Sequence, residues 1–257
     1  MIKYLIFLTC FAFISQANPQ ISAHRGNTGK APENTIATYK NALKLHVDFI
    51  EIDVRTTSDG KLVILHDGTL NRTTTGEGPV KHISFSELKK CSAGKGYAGF
   101  EEEKIPSLEE VCQLISSWNK WHAKKTYIYV DCKEVAPKPL VEILQKYDLA
   151  YESCFYGNDA FLLSLKQEFP QARLMPSLRK KEDIASKIAA LHPFAFDANF
   201  LSLTSEMVQE IHAQGIRVFT DLLGPLDTDI HYKKAITLGV DLIQTDKPDL
   251  VLKALHD

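Results

Sequence analysis

Glu51 and Asp53 stand two residues apart inside the apolar run from Val47 to Val54. In a strand, alternate residues share a face, so the two carboxylates project together while Ile50, Ile52 and Val54 project the other way. Adjacent carboxylates repel and raise each other's pKa unless a cation lies between them, which suits a hard metal with oxygen ligands. Solvated strand-end carboxylates are the bland alternative. His24 and His66 end two other short apolar runs, and Arg25 follows the first histidine. Candidate metal ligands, two imidazoles and a guanidinium thus fall within one stretch, Ile21 to Asp67, and together they favour the metal.

A third carboxylate lies further on. In Tyr127-Ile128-Tyr129-Val130-Asp131-Cys132-Lys133, period two places Tyr129, Asp131 and Lys133 on one face. Lys133 then offers a cation to an anionic substrate. Plainer readings exist for several of these groups: Arg25 can pair with Glu33, Lys133 with Glu134, and Asp197 or Asp221 can cap helices. The other histidines (His46, His82, His122, His192, His212, His231 and His256) lack comparable neighbours and read as structural.

The elements that must hold these groups alternate. A short strand, Gln20 to His24, leads through a glycine-bearing loop and Pro32-Glu33-Asn34-Thr35 into a helix over Thr35 to Leu45. The acid-bearing strand follows, then the turn Ser58-Asp59-Gly60 and a strand over Leu62 to Leu65. A hairpin centred between Ser58 and Asp59 would set Glu51 opposite His66. Residues 68 to 106 are rich in Gly and Thr and read as an insertion over one end of the core, with one short helix near Ser86 to Lys90. From Ser107 onward helices and strands alternate to the end, which implies parallel strands with right-handed crossovers. About eight such strands in one domain spanning residues 18 to 257 predict an α/β fold, a closed (β/α)8 TIM barrel with a small insertion after the third predicted strand. Catalytic groups of such barrels gather at the carboxyl ends of the strands. His24, Glu51, Asp53, Asp131, Lys133, Asp197 and Asp221 all fall there.

The chain of 257 residues is 44% hydrophobic, enough for a large core, and nothing in it resembles a linker. A net charge of -2 without a basic block argues against nucleic acid as a partner. At the amino end, Lys3, an apolar run from Tyr4 to Ile14 and then Ser15-Gln16-Ala17 read as an export signal covering residues 1 to 17, cleaved after Ala17. The run is short of the roughly 20 residues that span a bilayer, so no stable membrane insertion is expected. A periplasmic or extracellular location is. Phe7-Leu8-Thr9 argues against a lipid anchor on Cys10. Cys91, Cys112, Cys132 and Cys154 are widely spaced and can be disulfides or buried thiols; they form no C-x-x-C pair that would suggest zinc.

Read together, His24-Arg25-Gly26, Pro32-Glu33-Asn34-Thr35, Glu51-Ile52-Asp53, Asp59-Gly60, His66-Asp67 and Leu70-Asn71-Arg72-Thr73 resemble the glycerophosphodiester phosphodiesterase family. The likeness continues through Gly239-Val240-Asp241, Thr245-Asp246 and Pro248. It implies a (β/α)8 barrel with an insertion after the second histidine, and metal-dependent hydrolysis of a small-molecule glycerophosphodiester to an alcohol and glycerol 3-phosphate through a cyclic phosphate. It further implies Glu51, Asp53 and Asp131 as ligands of one divalent cation, Ca2+ or Mg2+, and His24 and His66 as the acid/base pair. Arg25, Lys133 and Phe219 would bind phosphate and substrate, with Glu33 and Asn34 in support. Two departures stand out: Asp131-Cys132-Lys133 replaces the usual Glu-x-Lys, and Phe219-Thr220-Asp221 stands where Trp-Thr is common. A phospholipase D-like enzyme of the same barrel, acting on lysophospholipid or sphingolipid, is the alternative enzyme. A non-catalytic phosphodiester-binding protein is the alternative of another class.

Overall fold

The protein is described over residues 18–256 of a computed structural model, and the expected export signal, residues 1–17, lies outside that range. The chain runs β1 (Gln20–Ala23), α1 (Ile36–Lys44), β2 (Phe49–Thr56), β3 (Leu62–Ile64) and α2 (Phe85–Leu88), then α3 (Leu108–Trp121) and β4 (Tyr127–Glu134). It continues α4 (Pro137–Lys146), β5 (Cys154–Gly157), α5 (Asp159–Glu168), β6 (Arg173–Leu178), α6 (Ile184–Leu191) and β7 (Ala195–Ala198). The last elements are α7 (Ser205–His212), β8 (Arg217–Leu222), α8 (Asp229–Leu238), β9 (Leu242–Thr245) and α9 (Pro248–Ala254).

β1 pairs in parallel with both β2 and β9, which closes the sheet into a barrel of eight parallel strands; β3 hangs antiparallel on β2. Alternation along the strands divides the side chains. Ile50, Ile52, Ile128, Val130, Phe155, Leu174, Phe196, Val218 and Ile243 point out into the helix layer and form the main core. Phe49, Tyr129, Cys154, Met175, Ala195, Phe219 and Leu242 fill the lower interior. Two residues further along each of those strands the inward position is polar: Glu51, Asp131, Tyr156, Ser177, Asp197, Asp221 and Gln244. One strand period therefore separates an apolar plug from a charged mouth.

The hairpin register differs from the expectation. Val54 pairs with Ile64 and Thr56 with Leu62, so the turn centres on Asp59 itself. Thr57 N–H donates to the Lys61 carbonyl, and Gly60 in the left-handed region (φ +79°) closes a three-residue loop. An odd loop length moves the register by one residue, so Glu51 does not face His66 across the hairpin. The histidine instead lies beyond the end of β3, where Arg55 grips its carbonyl through Nε at 3.0 Å and Nη2 at 2.6 Å.

The excursion between β3 and α3 has a small core of its own, Val63, Leu65, Leu70, Val80, Leu88, Ala93 and Ile105. α2 within it opens on a capping box between Ser84 and Glu87. Cys91, Cys112, Cys132 and Cys154 are free thiols, and no helix among the described residues is long and apolar enough to cross a membrane.

Candidate active site

Three carboxylates meet at the carboxyl ends of β2 and β4. Asp53 and Asp131 are register partners on neighbouring strands. Ligand oxygens of Glu51, Asp53 and Asp131 all lie within 4.8 Å of one another. Burial, then the charges of Asp53 and Asp131, push the Glu51 carboxyl well above its usual range. Burial likewise raises Asp131, against the pull of Lys133. Asp53 is 1% exposed, and its Oδ1 is buried without a hydrogen-bond partner; Lys133 Nζ stands 3.4 Å away. An orphaned buried carboxylate oxygen inside an all-oxygen donor set fits a hard divalent cation. The shorter Asp131 side chain still brings an oxygen into this group.

Cations and an amide frame the acids. Arg25 donates its backbone N–H to Glu51 Oε2 at 2.8 Å and its Nη1 to Glu33 Oε1 at 3.0 Å. Its Nε is buried without a hydrogen-bond partner, 3.4 Å from Asp53 Oδ2. Lys133 Nζ sits 2.5 Å from Asp131 Oδ2. Asn34 Nδ2 donates to Asp53 Oδ2 at 2.8 Å, and the buried Tyr39 hydroxyl holds Asn34 Oδ1 at 2.7 Å. Arg25 and Asn34 both adopt positive φ, 51° and 57°, and Gly26 follows at 94°. Such backbone is costly for non-glycine residues, and here it aims Arg25 and Asn34 at the acids.

Each histidine is held by an aspartate. His24 Nδ1 lies 2.8 Å from Asp246 Oδ1, and His66 Nδ1 lies 2.8 Å from Asp67 Oδ1. A carboxylate on Nδ1 selects the tautomer that leaves Nε2 free for proton transfer. Asp246 follows β9 and His24 follows β1, so closure of the barrel brings the ends of the chain together to make that pair. Arg72, from the excursion, donates to both oxygens of Asp67 at 2.8 and 2.9 Å, and to both oxygens of Glu33 at 2.7 and 2.8 Å. Asp67 is consequently depressed well below the usual carboxylate range, first by Arg72 and then by His66. Glu33 is lowered too: its burial is outweighed by Arg72 and Arg25.

Asp67, Asp246, Arg72 and Arg55 received no role from the sequence. Asp67, Arg72 and Asp246 stand in stretches that carry the family likeness, and Arg55 does not; the partners of Arg72 and Asp246 are set by contacts between distant parts of the chain. Phe219 is placed differently from the expectation. It is 1% exposed and packs in the barrel interior against Phe49 and Phe194. Asp221, two residues nearer the carboxyl end of β8, occupies the mouth in its place. The cavity there, of about 220 Å³, is lined by His24, Arg25, the three acids, Lys133, Tyr129, Tyr156, Asp221, Leu223 and Gln244. Glu33 and Arg72 border a separate depression beside it with Lys95 and Tyr97.

Residues 24–250 match the model of the glycerophosphoryl diester phosphodiesterase family. A glycerophosphodiester phosphodiesterase of Caldanaerobacter subterraneus is 32% identical over 250 residues, covering 92% of this chain and 97% of the relative. One from Bacillus altitudinis is 34% identical over 245 residues, covering 91% and 97%. Among solved structures, an Oleispira antarctica phosphodiesterase in complex with the product sn-glycerol-3-phosphate superposes with a TM-score of 0.82 at 27% identity, covering 93% of this chain and 98% of that one.

Proposed function

The chain belongs to the glycerophosphoryl diester phosphodiesterase family, and from that premise we propose how its residues hydrolyse a glycerophosphodiester to an alcohol and glycerol 3-phosphate. The observation that carries the reading is one mouth holding three clustered carboxylates, two cations and the aspartate-held His24, with the aspartate-held His66 near enough for its charge to act on Asp131. Glu51, Asp53 and Asp131 would hold one divalent cation, Ca2+ or Mg2+. When bound there, the cation offsets negative charge that grows on the phosphate oxygens. Arg25, which lines the cavity, offers its guanidinium to the phosphate, and Lys133 adds a point charge.

In this reading a glycerol hydroxyl attacks the phosphorus. One histidine Nε2 takes that hydroxyl's proton while the other protonates the oxygen of the departing alcohol, leaving a cyclic phosphate. Water then opens the ring with the two histidines in exchanged roles. Asp246 and Asp67 keep the imidazoles oriented through both steps. Polar lining in most of the cavity supports a small water-soluble diester over a lipid. We also propose export, with the mature chain beginning at Asn18; amino-terminal sequencing of protein from the cell envelope or medium tests it.

The deciding experiment measures glycerol 3-phosphate released from several glycerophosphodiesters with Ca2+, with Mg2+ and with chelator. Release that needs metal and falls at least about a thousandfold in His24→Ala is expected. Chelator-resistant release would sink the metal assignment, and full activity in His24→Ala would sink the histidine pair.

A further inference from the structure

The mouth of the barrel carries more acid than the three clustered carboxylates account for. Asp197 on β7 and Asp221 on the neighbouring β8 both point inward, outside the group whose oxygens meet within 4.8 Å. Asp221 lines the cavity and accepts one hydrogen bond, from Gln244 Nε2 at 3.0 Å. Ser22 Oγ in turn holds Gln244 Oε1 at 3.1 Å. Asp197 is 4% exposed and accepts no hydrogen bond from any described residue; its nearest cation, Arg179 Nη2, stands off at 4.0 Å on a largely exposed side chain. Ser177, register partner of Asp197, has a buried Oγ that is also unpartnered.

A buried Asp197 and a half-buried Asp221 face one peripheral guanidinium, a local excess of negative charge. Burial pushes Asp197 up to about 6, and burial followed by the Asp197 charge raises Asp221. A counter-charge from outside the chain would relieve both. The pair gathers no third ligand of its own, which disfavours a bare metal ion. An organic ammonium fits better, since its diffuse charge pairs with carboxylates without a ligand shell and its carbons lie on aromatic faces. Tyr156 lines the same cavity, and its ring centroid lies 6.2 Å from that of Tyr129. Asp131 and Tyr156 are register partners, so the aromatic wall begins one strand round from the acid cluster, on the side leading to Asp221.

We propose that Asp197 and Asp221, with the Tyr156 ring, form a subsite for a cationic alcohol arm of the diester, so that ammonium-bearing substrates are selected over neutral ones. The assignment rests on the diesterase reading for its context. A phosphate between Arg25 and Lys133 would extend this arm past Asp131 toward Asp221.

The test pairs a binding readout with a rate ratio. Saturation-transfer NMR on the Mg2+-loaded full chain uses choline as probe and glycerol as control. Kinetics compare kcat/KM for glycerophosphocholine with that for glycerophosphoglycerol. Choline should contact the wild-type protein, and Asp221→Asn and Asp197→Asn should each weaken that contact and lower the rate ratio by about tenfold, the loss of one modest ionic contact. Thermal melting confirms that the isosteric variants fold. The subsite is overturned by a wild-type protein that ignores choline, a measurement needing no variant, or by variants in which both rates fall in parallel. Choline binding that depends on Asp221, without hydrolysis of any diester, would leave the subsite standing and remove the reaction proposed above.

Discussion

At the residue scale, the acids of this site work through the groups that hold them. Arg72 makes four hydrogen bonds to Asp67 and Glu33, and these two carboxylates lead to His66 and Arg25. Replacing Arg72 with Ala should lower kcat by about ten- to a hundredfold through misplaced side chains, while metal affinity, read by titration calorimetry, changes little. A metal affinity that fell in step with kcat would instead make Arg72 part of the metal frame. Asp197 gives a second prediction. Facing it are Asp221, Asp131, Tyr129 and Arg179, and burial holds its pKa near 6 against a usual 3.8. A raised folded pKa means the folded state keeps its proton longer than the unfolded chain. Stability is therefore lost as pH rises from about 4 to about 6, by up to about 3 kcal/mol, and is flat above that. Urea unfolding at pH 4 and pH 7 should show Asp197→Asn gaining on the wild type as pH rises; a constant difference would refute it.

At the element scale, the excursion after β3 is a working part of the site because it carries Arg72. It is tightly closed on itself. Gly94 lies so near the chain at Phe100 that an added Cβ would sit 1.9 Å from that residue's carbonyl oxygen. Gly94→Ala should cost about 1 to 3 kcal/mol and loosen the segment. Limited proteolysis should then cut between residues 68 and 106 faster than in the wild type, and kcat should fall with Arg72 displaced. Unchanged proteolysis with unchanged kcat would show that the segment repacks freely.

At the scale of the whole molecule, the charged mouth is a store of repulsion that a ligand can release. A cation that binds the folded chain and not the unfolded one stabilises it by about 2.7 kcal/mol at a concentration a hundred times its dissociation constant. Thermal scans should show the melting temperature rising with Ca2+ or Mg2+, and Asp53→Asn should abolish most of that rise. A rise that survives in the variant would place the cation elsewhere. The barrel supplies the rigidity this requires, since every acid stands on a strand hydrogen-bonded on both sides.

The sequence by itself determined the strand periodicity, and with it the inward acids Glu51, Asp53, Asp131, Asp197 and Asp221. It also determined the alternation that closes a barrel, and the excursion after the third strand. Those features are local: they follow from period two, turn residues and the order of elements. Tertiary structure alone decided the partners. Asp246 reaches His24 only because β9 lies beside β1, and Arg72 reaches Glu33 only because the excursion folds back over the first loop. It also decided depth. Phe219 and Asp221 share a face of one strand, and the position of the barrel rim, a property of all eight strands at once, buries the ring and gives the mouth to the acid.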